Sequence, residues 1–259
     1  MATNKKRSKT ATGAFDPKEA RNQEYRHDKA PAVRPKEAAT LIIVRRDAVK
    51  PRILMGKRAA GHKFMPNKFV FPGGRMDAAD SRVKAHKGLR APVERRLLDR
   101  MRGTPSPNKA RGLAMAAIRE TFEETGLVIG KKVSEPFQTR NPEWQAYYNE
   151  HVAPDLSAVD FIARAITPPY RNRRFDTRFF MIDADQIQGD LHDTDRASGE
   201  LLELHWLEIN EAFDLDLPNI TRMILGEMQE RLELPKPAQA KRPVPFVHFR
   251  GANPVRDIL

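Results

Sequence analysis

Two short stretches decide the fold of this chain: Phe71-Pro72-Gly73-Gly74, and Arg119-Glu120-Thr121-Phe122-Glu123-Glu124-Thr125-Gly126-Leu127. In a helix of about 3.6 residues per turn, Glu120, Glu123 and Glu124 fall at i, i+3 and i+4 and share one side. Three carboxylates packed in this way repel one another. Magnesium and manganese ions prefer hard oxygen ligands and would turn this repulsion into attraction. The spacing therefore predicts a divalent metal site.

The order of the elements around these stretches is more informative than either stretch alone. Glutamate-rich helices are common on protein surfaces, and Pro-Gly-Gly is a general signal for a turn. Here an apolar strand leads into Pro-Gly-Gly, and an alanine-rich helix carries the carboxylates until Gly126 ends it. Another apolar segment then begins at Leu127. We interpret this order as a strand, a loop and a helix that together carry a functional site.

These residues resemble the Nudix box, which reads Gly, five residues, Glu, seven residues, then Arg-Glu-aliphatic-any-Glu-Glu-any-Gly-aliphatic. The second half is matched by Arg119, Glu120, Glu123, Glu124, Gly126 and Leu127, with Thr121 in place of an aliphatic residue. The first half is anchored by Gly74, and Asp80 stands where the family has Glu. Asp80 and Arg119 are separated by 38 residues instead of seven, so 31 residues are inserted. This interrupted form resembles the CoA and acyl-CoA diphosphohydrolase branch of the family.

The resemblance implies an α/β (α+β) fold, a Nudix-like α/β/α sandwich with a mixed β-sheet and a catalytic loop and helix. It also implies a metal-dependent hydrolase that cleaves the diphosphate bond of a nucleoside diphosphate linked to another moiety. CoA or acyl-CoA esters are the most specific expectation, although residues 61–68 do not reproduce the CoA-recognition segment of that branch. The alternatives are an RNA 5'-end pyrophosphohydrolase and a non-catalytic module that binds nucleotides or RNA.

The same resemblance assigns roles to the carboxylates of the helix. Glu123 and Glu124 are expected to be the principal ligands of Mg²⁺ or Mn²⁺. Glu120 is expected to be either a third ligand or the base that accepts a proton from water, and Glu200 or Glu203 could take the base role instead. Arg119 is expected to organise the site, since it lies at i, i+4 to Glu123 and its planar guanidinium can fix a carboxylate.

Glycines and arginines outside the helix are expected to complete the site. By resemblance, the backbone carbonyl of Gly73 or Gly74 contributes to metal binding, and Gly74 lets the substrate approach closely. A basic cluster, 171–174, runs into a strand, and the interrupted branch has a similar cluster near its cleft. Arg174 and Arg178 are therefore expected to contact a phosphate. The alternative for this segment is a basic loop followed by buried aromatic residues.

The remaining elements follow from hydrophobic spacing. Strands are predicted over 38–46, 53–57, 68–71, 160–166, 178–182 and 201–207, and helices over 91–101, 113–125, 143–151 and 221–232. An edge strand is predicted over 244–249. The helix over 143–151 carries Trp144, Tyr147 and Tyr148, which could stack on a base but at helical spacing more often pack a core.

Length and charge predict one catalytic domain with basic additions. The 259 residues can bury one sizeable core, which we place at 37–234. Residues 1–36 form a basic tail that we expect to be flexible, 81–112 a basic insertion within the box, and 235–259 a proline-rich C-terminal extension. The tail has ten Lys or Arg and four Asp or Glu, and the insertion has ten Lys or Arg and two Asp or Glu. The summed charge of these two segments is larger than the net charge of the whole chain, +12. The insertion could steer anionic substrates, RNA included, or be a solvated helix.

Several classes of protein are excluded or disfavoured by composition. No cysteine is present, which excludes disulfides, thiolate catalysis and cysteine-bound zinc. The sequence has no apolar run of the length that spans a membrane, and no apolar segment follows the basic residues near Met1. We therefore expect a soluble, cytoplasmic protein without a membrane partner. A homodimer is expected only because proteins of the family it resembles commonly dimerise.

Overall fold

A computed structural model describes residues 33–59 and 67–259, so most of the tail predicted over 1–36 lies outside the described residues. The strands are β1 Lys36–Arg45, β2 Arg52–Arg58, β3 Phe69–Val70, β4 Gly73–Arg75, β5 Val128–Ile129, β6 Lys131–Lys132, β7 Val152–Ala153, β8 Asp160–Ile166, β9 Phe175–Asp183, β10 Ile187–Gln188, β11 Leu201–Glu208, β12 Pro245–Arg250 and β13 Asn253–Ile258. The helices are α1 Ala91–Leu98, α2 Pro107–Thr125, α3 Pro142–Tyr148, α4 Ile209–Phe213, α5 Asn219–Leu232 and α6 Lys236–Lys241. Among these helices none has the length and apolar character needed to cross a bilayer.

One large mixed sheet forms the centre of the molecule. Its strand order is β11-β2-β1-β9-β8-β12-β13, with β3 paired to β2 and β4 paired to β1. The β1–β9 and β8–β12 pairs are parallel, and the other pairs of this sheet are antiparallel. Alternate residues of β1 face opposite sides, so Leu41 and Ile43 pack towards α2, whereas Ile42 and Val44 pack with residues of α5. The predicted α/β/α sandwich with a mixed sheet is confirmed.

The carboxylate helix begins earlier in the chain than its apolar pattern predicts. We expected it over 113–125, but α2 starts at Pro107. Ser106 is the N-cap and accepts a hydrogen bond from the Lys109 N–H, and proline suits the first helical position because its missing N–H would have no partner there. The insertion therefore ends inside the catalytic helix rather than before it.

The strand predicted over 244–249 is not at the edge of the sheet. It runs parallel to β8 on one side and pairs with β13 on the other, so the edge-strand prediction is wrong. The hydrophobic pattern of residues 244–249 predicted a strand correctly. It did not predict the neighbouring strand β13, because the residues of β13 are mostly exposed and have no apolar pattern. The C-terminal extension is thus continuous with the main sheet.

The basic residues of the insertion largely bind other parts of the protein. Arg96 donates to the backbone carbonyls of Ala240 and Lys241, and Arg100 forms an ion pair with Asp257. The apolar face of α1 is buried, and α1 packs against α2. The insertion is therefore a docked element that joins α2 to the C-terminal segment, and its steering of anionic substrates stays a prediction.

A buried ionic cluster lies beneath the start of β1. Arg164 contacts both oxygens of Asp176, at 2.8 and 2.7 Å, and Arg178 lies 2.9 Å from the same carboxylate. Arg178 also pairs with Glu37, which in turn lies 2.6 Å from Lys109. Burial acts to raise the pKa of Asp176, but the hydrogen bond from Arg164 and the charges of Arg178 and Arg164 outweigh it and lower that pKa. Asp176 is thus the shared counter-ion of two buried arginines.

Replacing Asp176 by Asn should lower the free energy of unfolding by about 3–5 kcal/mol, because Arg164 and Arg178 would keep buried charges without their carboxylate. Urea denaturation of the two proteins measures the difference. Asp185→Asn, at an exposed position, is the matched control and should stay close to the parent. Equal midpoints for Asp176→Asn and the parent would contradict the assigned role.

Candidate active site

Gly73 and Gly74 are held against the carboxylate half of α2 by their pairing with β1. Gly74 pairs with Ala39, and a Cβ at Gly74 would lie 2.3 Å from a carboxylate oxygen of Glu120. Gly73 has φ +154°, and a Cβ there would lie 2.5 Å from the Ala39 carbonyl oxygen. Neither position has room for a side chain: Gly73 lies against the backbone of β1, and Gly74 lies against the carboxylate of Glu120.

Glu124 is buried and faces the backbone of the glycine turn. Its Oε2 accepts a hydrogen bond of 2.8 Å from the Gly73 N–H, and its residue is 5% exposed. Burial raises the pKa of Glu124 to about 8, against the lowering effects of the Gly73 hydrogen bond and the Arg58 charge. Burial therefore favours the protonated form of this carboxyl.

Glu120 and Glu123 both contact the arginine of the box. Glu120 lies 3.0 Å from Arg119 Nη2, and Glu123 accepts hydrogen bonds of 3.0 and 3.2 Å from Arg119 Nη1. Burial raises the pKa of Glu120 to about 7, and the neighbouring Glu123 charge adds to this effect while Arg119 opposes it. Burial also raises the pKa of the less buried Glu123.

Arg119 joins the two halves of the interrupted box. Its Nε donates to Asp80 at 2.9 Å, its Nη2 donates to Asp80 at 3.1 Å and to the Arg75 carbonyl at 3.0 Å, and its Nη1 reaches Glu123. Burial disfavours the arginine charge, but the hydrogen bonds to Asp80 and the nearby carboxylates raise its pKa. The predicted pairing of Arg119 with Glu123 is present. Asp80 binds the arginine directly across the insertion.

The three glutamates do not yet converge. Within residues 33–59 and 67–259, no three His, Asp or Glu side chains are gathered closely enough to hold a cation as they stand. One contribution to this spacing is that Glu124 is turned to the Gly73 N–H. The donor set suits a hard divalent cation, since it offers three carboxylates on one helix, and the pKa values of buried Glu124 and half-buried Glu120 are both raised.

The structure does not support the expected phosphate contact at Arg178. That side chain is 1% exposed and is occupied by Asp176 and Glu37, so its role is to balance buried charge. Arg174 is half-buried and donates to the carbonyls of Thr167 and Val33. The backbone carbonyl of Arg174 accepts a hydrogen bond from the N–H of Lys36, at the start of β1. Lys36 lies about 10 Å along β1 from Ala39, the residue that pairs with Gly74.

Of the two late glutamates considered for the base, the structure brings Glu200 to the site. Its charge raises the pKa of Glu124, and the Ser198 N–H nearby donates to the Glu123 carbonyl at 2.7 Å. Glu203 instead pairs with Lys57 at 3.2 Å and is exposed. The loop that precedes β11 therefore borders the carboxylates.

One residue at the site escaped the sequence reasoning, and the contact made by a second was not foreseen. Arg58, the last residue of β2, is close enough for its charge to act on Glu124. Trp144 donates from its indole Nε1 to Asp80 at 2.8 Å. That contact joins residues 64 positions apart, so no local pattern could reveal it.

Without metal, the protein should lose stability as the pH rises from about 5 to about 8, because a carboxyl with a raised pKa binds protons more tightly in the folded than in the unfolded state. Glu120 and Glu124 are the groups responsible. Thermal denaturation in EDTA should show the fall, and saturating Mg²⁺ should reverse it at the upper pH. Glu124→Gln should flatten the profile, whereas an identical slope in that variant would reject the assignment.

Gly74→Ala should weaken Mn²⁺ binding at least about tenfold, because the new methyl group would displace the Glu120 carboxylate and small misplacements in a site are costly. Electron paramagnetic resonance of free Mn²⁺ measures the dissociation constant. Gly88→Ala is the control, since a Cβ there meets nothing within 4 Å. Equal affinities in the two variants would show that Glu120 does not bind the ion.

Comparisons with known proteins find similar sequences and similar structures. No family model matches the chain. It is 28% identical over 175 residues to "Putative nudix hydrolase 7" of Caenorhabditis elegans, covering 63% of this chain and 48% of that protein. It is 27% identical over 183 residues to "Acyl-coenzyme A diphosphatase NUDT19" of Gallus gallus, covering 50% of this chain and 47% of that protein. The chain thus spans about half the length of the curated relatives it matches.

A solved structure supports the fold. The NUDIX hydrolase from Alicyclobacillus acidocaldarius superposes with a TM-score of 0.54 at 24% identity, covering 75% of this chain and 90% of that one. This similarity concerns the fold, and the two curated proteins add similarity in sequence. In its interrupted box, in its sandwich around a mixed sheet and in these comparisons, the chain is similar to the Nudix hydrolases.

Proposed function

We propose that this protein is a metal-dependent hydrolase that cleaves the diphosphate bond of a nucleoside diphosphate linked to another moiety. The observation that carries the proposal is the Arg119-centred arrangement of Glu120, Glu123 and Glu124 against the Gly73–Gly74 turn. A purely structural helix would gain nothing from burying carboxylates whose pKa values rise to about 7 and about 8. Nudix hydrolases generally use divalent metal ions.

The residues of the site suit hydrolysis of a diphosphate. Bound Mg²⁺ or Mn²⁺ would supply charge neutralisation at the phosphate oxygens and a means to orient water. Glu123 and Glu124 are the proposed principal ligands, with a backbone carbonyl of the Gly73–Gly74 turn beside them. Arg119 holds Glu123 in one orientation, so the carboxylate need not be ordered when the ion binds.

Proton transfer from the attacking water is assigned to a glutamate of the same site. Glu120 has a pKa raised to about 7, near the value that suits a general base at neutral pH. Glu200 is the alternative, because its charge acts on Glu124 from the loop before β11. Substitution of the catalytic base should lower kcat but leave metal affinity unchanged, whereas substitution of a metal ligand should lower both.

The substrate proposed is CoA or an acyl-CoA ester. Support comes from the interrupted box and from the sequence similarity to a protein named as an acyl-coenzyme A diphosphatase. The insertion does not add direct evidence for substrate steering, since several of its arginines are bound to the C-terminal segment.

Purified protein with Mg²⁺ or Mn²⁺ should cleave at least one compound from a panel of CoA, acetyl-CoA, ADP-ribose, NADH, diadenosine polyphosphates and 5'-triphosphate RNA. Glu123→Gln and Glu124→Gln should each lower kcat by about a hundredfold or more, because they remove proposed ligands. Glu135→Gln, at an exposed position, should leave the rate unchanged. Chromatography of the products identifies the bond that is broken.

The outcomes separate the candidate functions. Cleavage of CoA compounds alone supports the specific substrate, whereas cleavage of RNA ends with binding that weakens steeply in salt would favour the RNA pyrophosphohydrolase. Binding of a nucleotide without cleavage of any compound would move the assignment to a non-catalytic module. Cleavage that survives both glutamine substitutions would reject the site itself.

A further inference from the structure

Asp80 is a buried carboxylate whose four acceptor positions are all used. Its Oδ1 accepts from Arg119 Nε at 2.9 Å and from the Trp144 indole Nε1 at 2.8 Å. Its Oδ2 accepts from Arg119 Nη2 at 3.1 Å and from the Asp77 N–H at 2.7 Å. Because Asp80 is 0% exposed, its charge is stabilised by these donors and not by solvent.

The indole donor fixes the direction of the carboxylate. Arg119 binds both oxygens of Asp80 and could follow that carboxylate if it rotated. Trp144 and the Asp77 N–H donate to different oxygens from different elements, so together they set the plane of the carboxylate. A hydrogen bond to a charged acceptor is also roughly twice as strong as one between neutral groups.

The orientation of Asp80 is passed on to the proposed metal ligands by Arg119. The guanidinium is planar, so fixing its Nε and Nη2 on Asp80 also fixes the direction of its Nη1. That nitrogen holds both oxygens of Glu123, and Nη2 lies 3.0 Å from Glu120. A change at Trp144 therefore reaches two carboxylates that the indole does not touch.

Trp144 is itself held rigidly. The Asn141 side chain accepts a hydrogen bond of 2.9 Å from the Trp144 backbone N–H and so caps α3. The indole ring packs against Tyr147 and Tyr148, with ring centroids 5.3 and 5.6 Å away. Since Trp144 is 0% exposed, it cannot stack on a base, and the alternative of a core residue is the correct one.

We propose that Trp144 is a positioning residue that orients the metal-binding carboxylates through Asp80 and Arg119. The role rests on the proposed function to the extent that Glu120 and Glu123 bind the metal. It goes beyond the box, because α3 follows the box in sequence and supplies no ligand.

Trp144→Phe tests this role, since it keeps an aromatic ring but removes the N–H donor. We expect the Mn²⁺ dissociation constant, measured without substrate by electron paramagnetic resonance, to rise about three- to tenfold, somewhat less than for loss of a direct partner of a ligand. At saturating metal, kcat should fall by a similar factor while KM changes little. Tyr148→Phe is the matched control, because it removes a buried donor of the same helix that binds the Lys84 carbonyl.

A double-mutant cycle with Asp80→Asn separates positioning from packing. If the indole acts through Asp80, Trp144→Phe should have no further effect on Mn²⁺ affinity in the Asp80→Asn background. Full additivity, or an affinity of Trp144→Phe equal to that of the parent with only the melting temperature lowered, would overturn the proposal. A parent protein that binds Mn²⁺ but cleaves no diphosphate would reject the function and leave this test unaffected.

If Asp80→Asn does not fold, the NMR signal of the Trp144 indole N–H provides a second test. The chain has two tryptophans, so Trp206→Phe assigns the Trp144 indole signal in ¹⁵N-labelled protein. That signal should move when Mg²⁺ is added and when Arg119 is replaced by Lys, because both changes act on Asp80. A signal that stays in place in both experiments would show that the indole is not coupled to the site.

Discussion

The buried ion pair between Arg119 and Asp80 is the interaction on which the site depends. These residues are 39 positions apart in sequence because of the insertion, and their contact brings the two halves of the box back together. Because both side chains are buried, removing either one would leave the other as an unpaired buried charge and would destabilise the folded protein. The segment after the glycine turn, the carboxylate helix and α3 all meet at this pair, and Arg119 in turn contacts Glu120 and Glu123.

Different interactions stabilise the closely spaced glutamates of α2. Glu123 is neutralised by Arg119, and Glu124 relies on the Gly73 N–H and on protonation favoured by burial. Ligands must lose their protons before they bind a metal ion, so the proposed metal site should bind its ion with an affinity that depends on pH.

Local pattern predicted the parts of the fold that depend on neighbours in sequence. The spacing of Glu120, Glu123 and Glu124, the i, i+4 partner of Arg119 and the strand at Asp160–Ile166 were all readable in this way. What failed depends on tertiary contacts. Arg178 looks like a phosphate contact until Asp176 and Glu37 are seen to bury it, and Trp144 gains its role from a carboxylate 64 positions away.

The docking of the insertion on the C-terminal strands has a consequence for the order of folding. Arg100 of the insertion binds Asp257, and β12 completes its pairing with β8 through residues near 246. During synthesis the catalytic helix is made well before these partners leave the ribosome. Contacts of such long sequence separation form late. The insertion therefore cannot complete its contacts, the ion pair of Arg100 with Asp257 included, until the end of the sheet has been made.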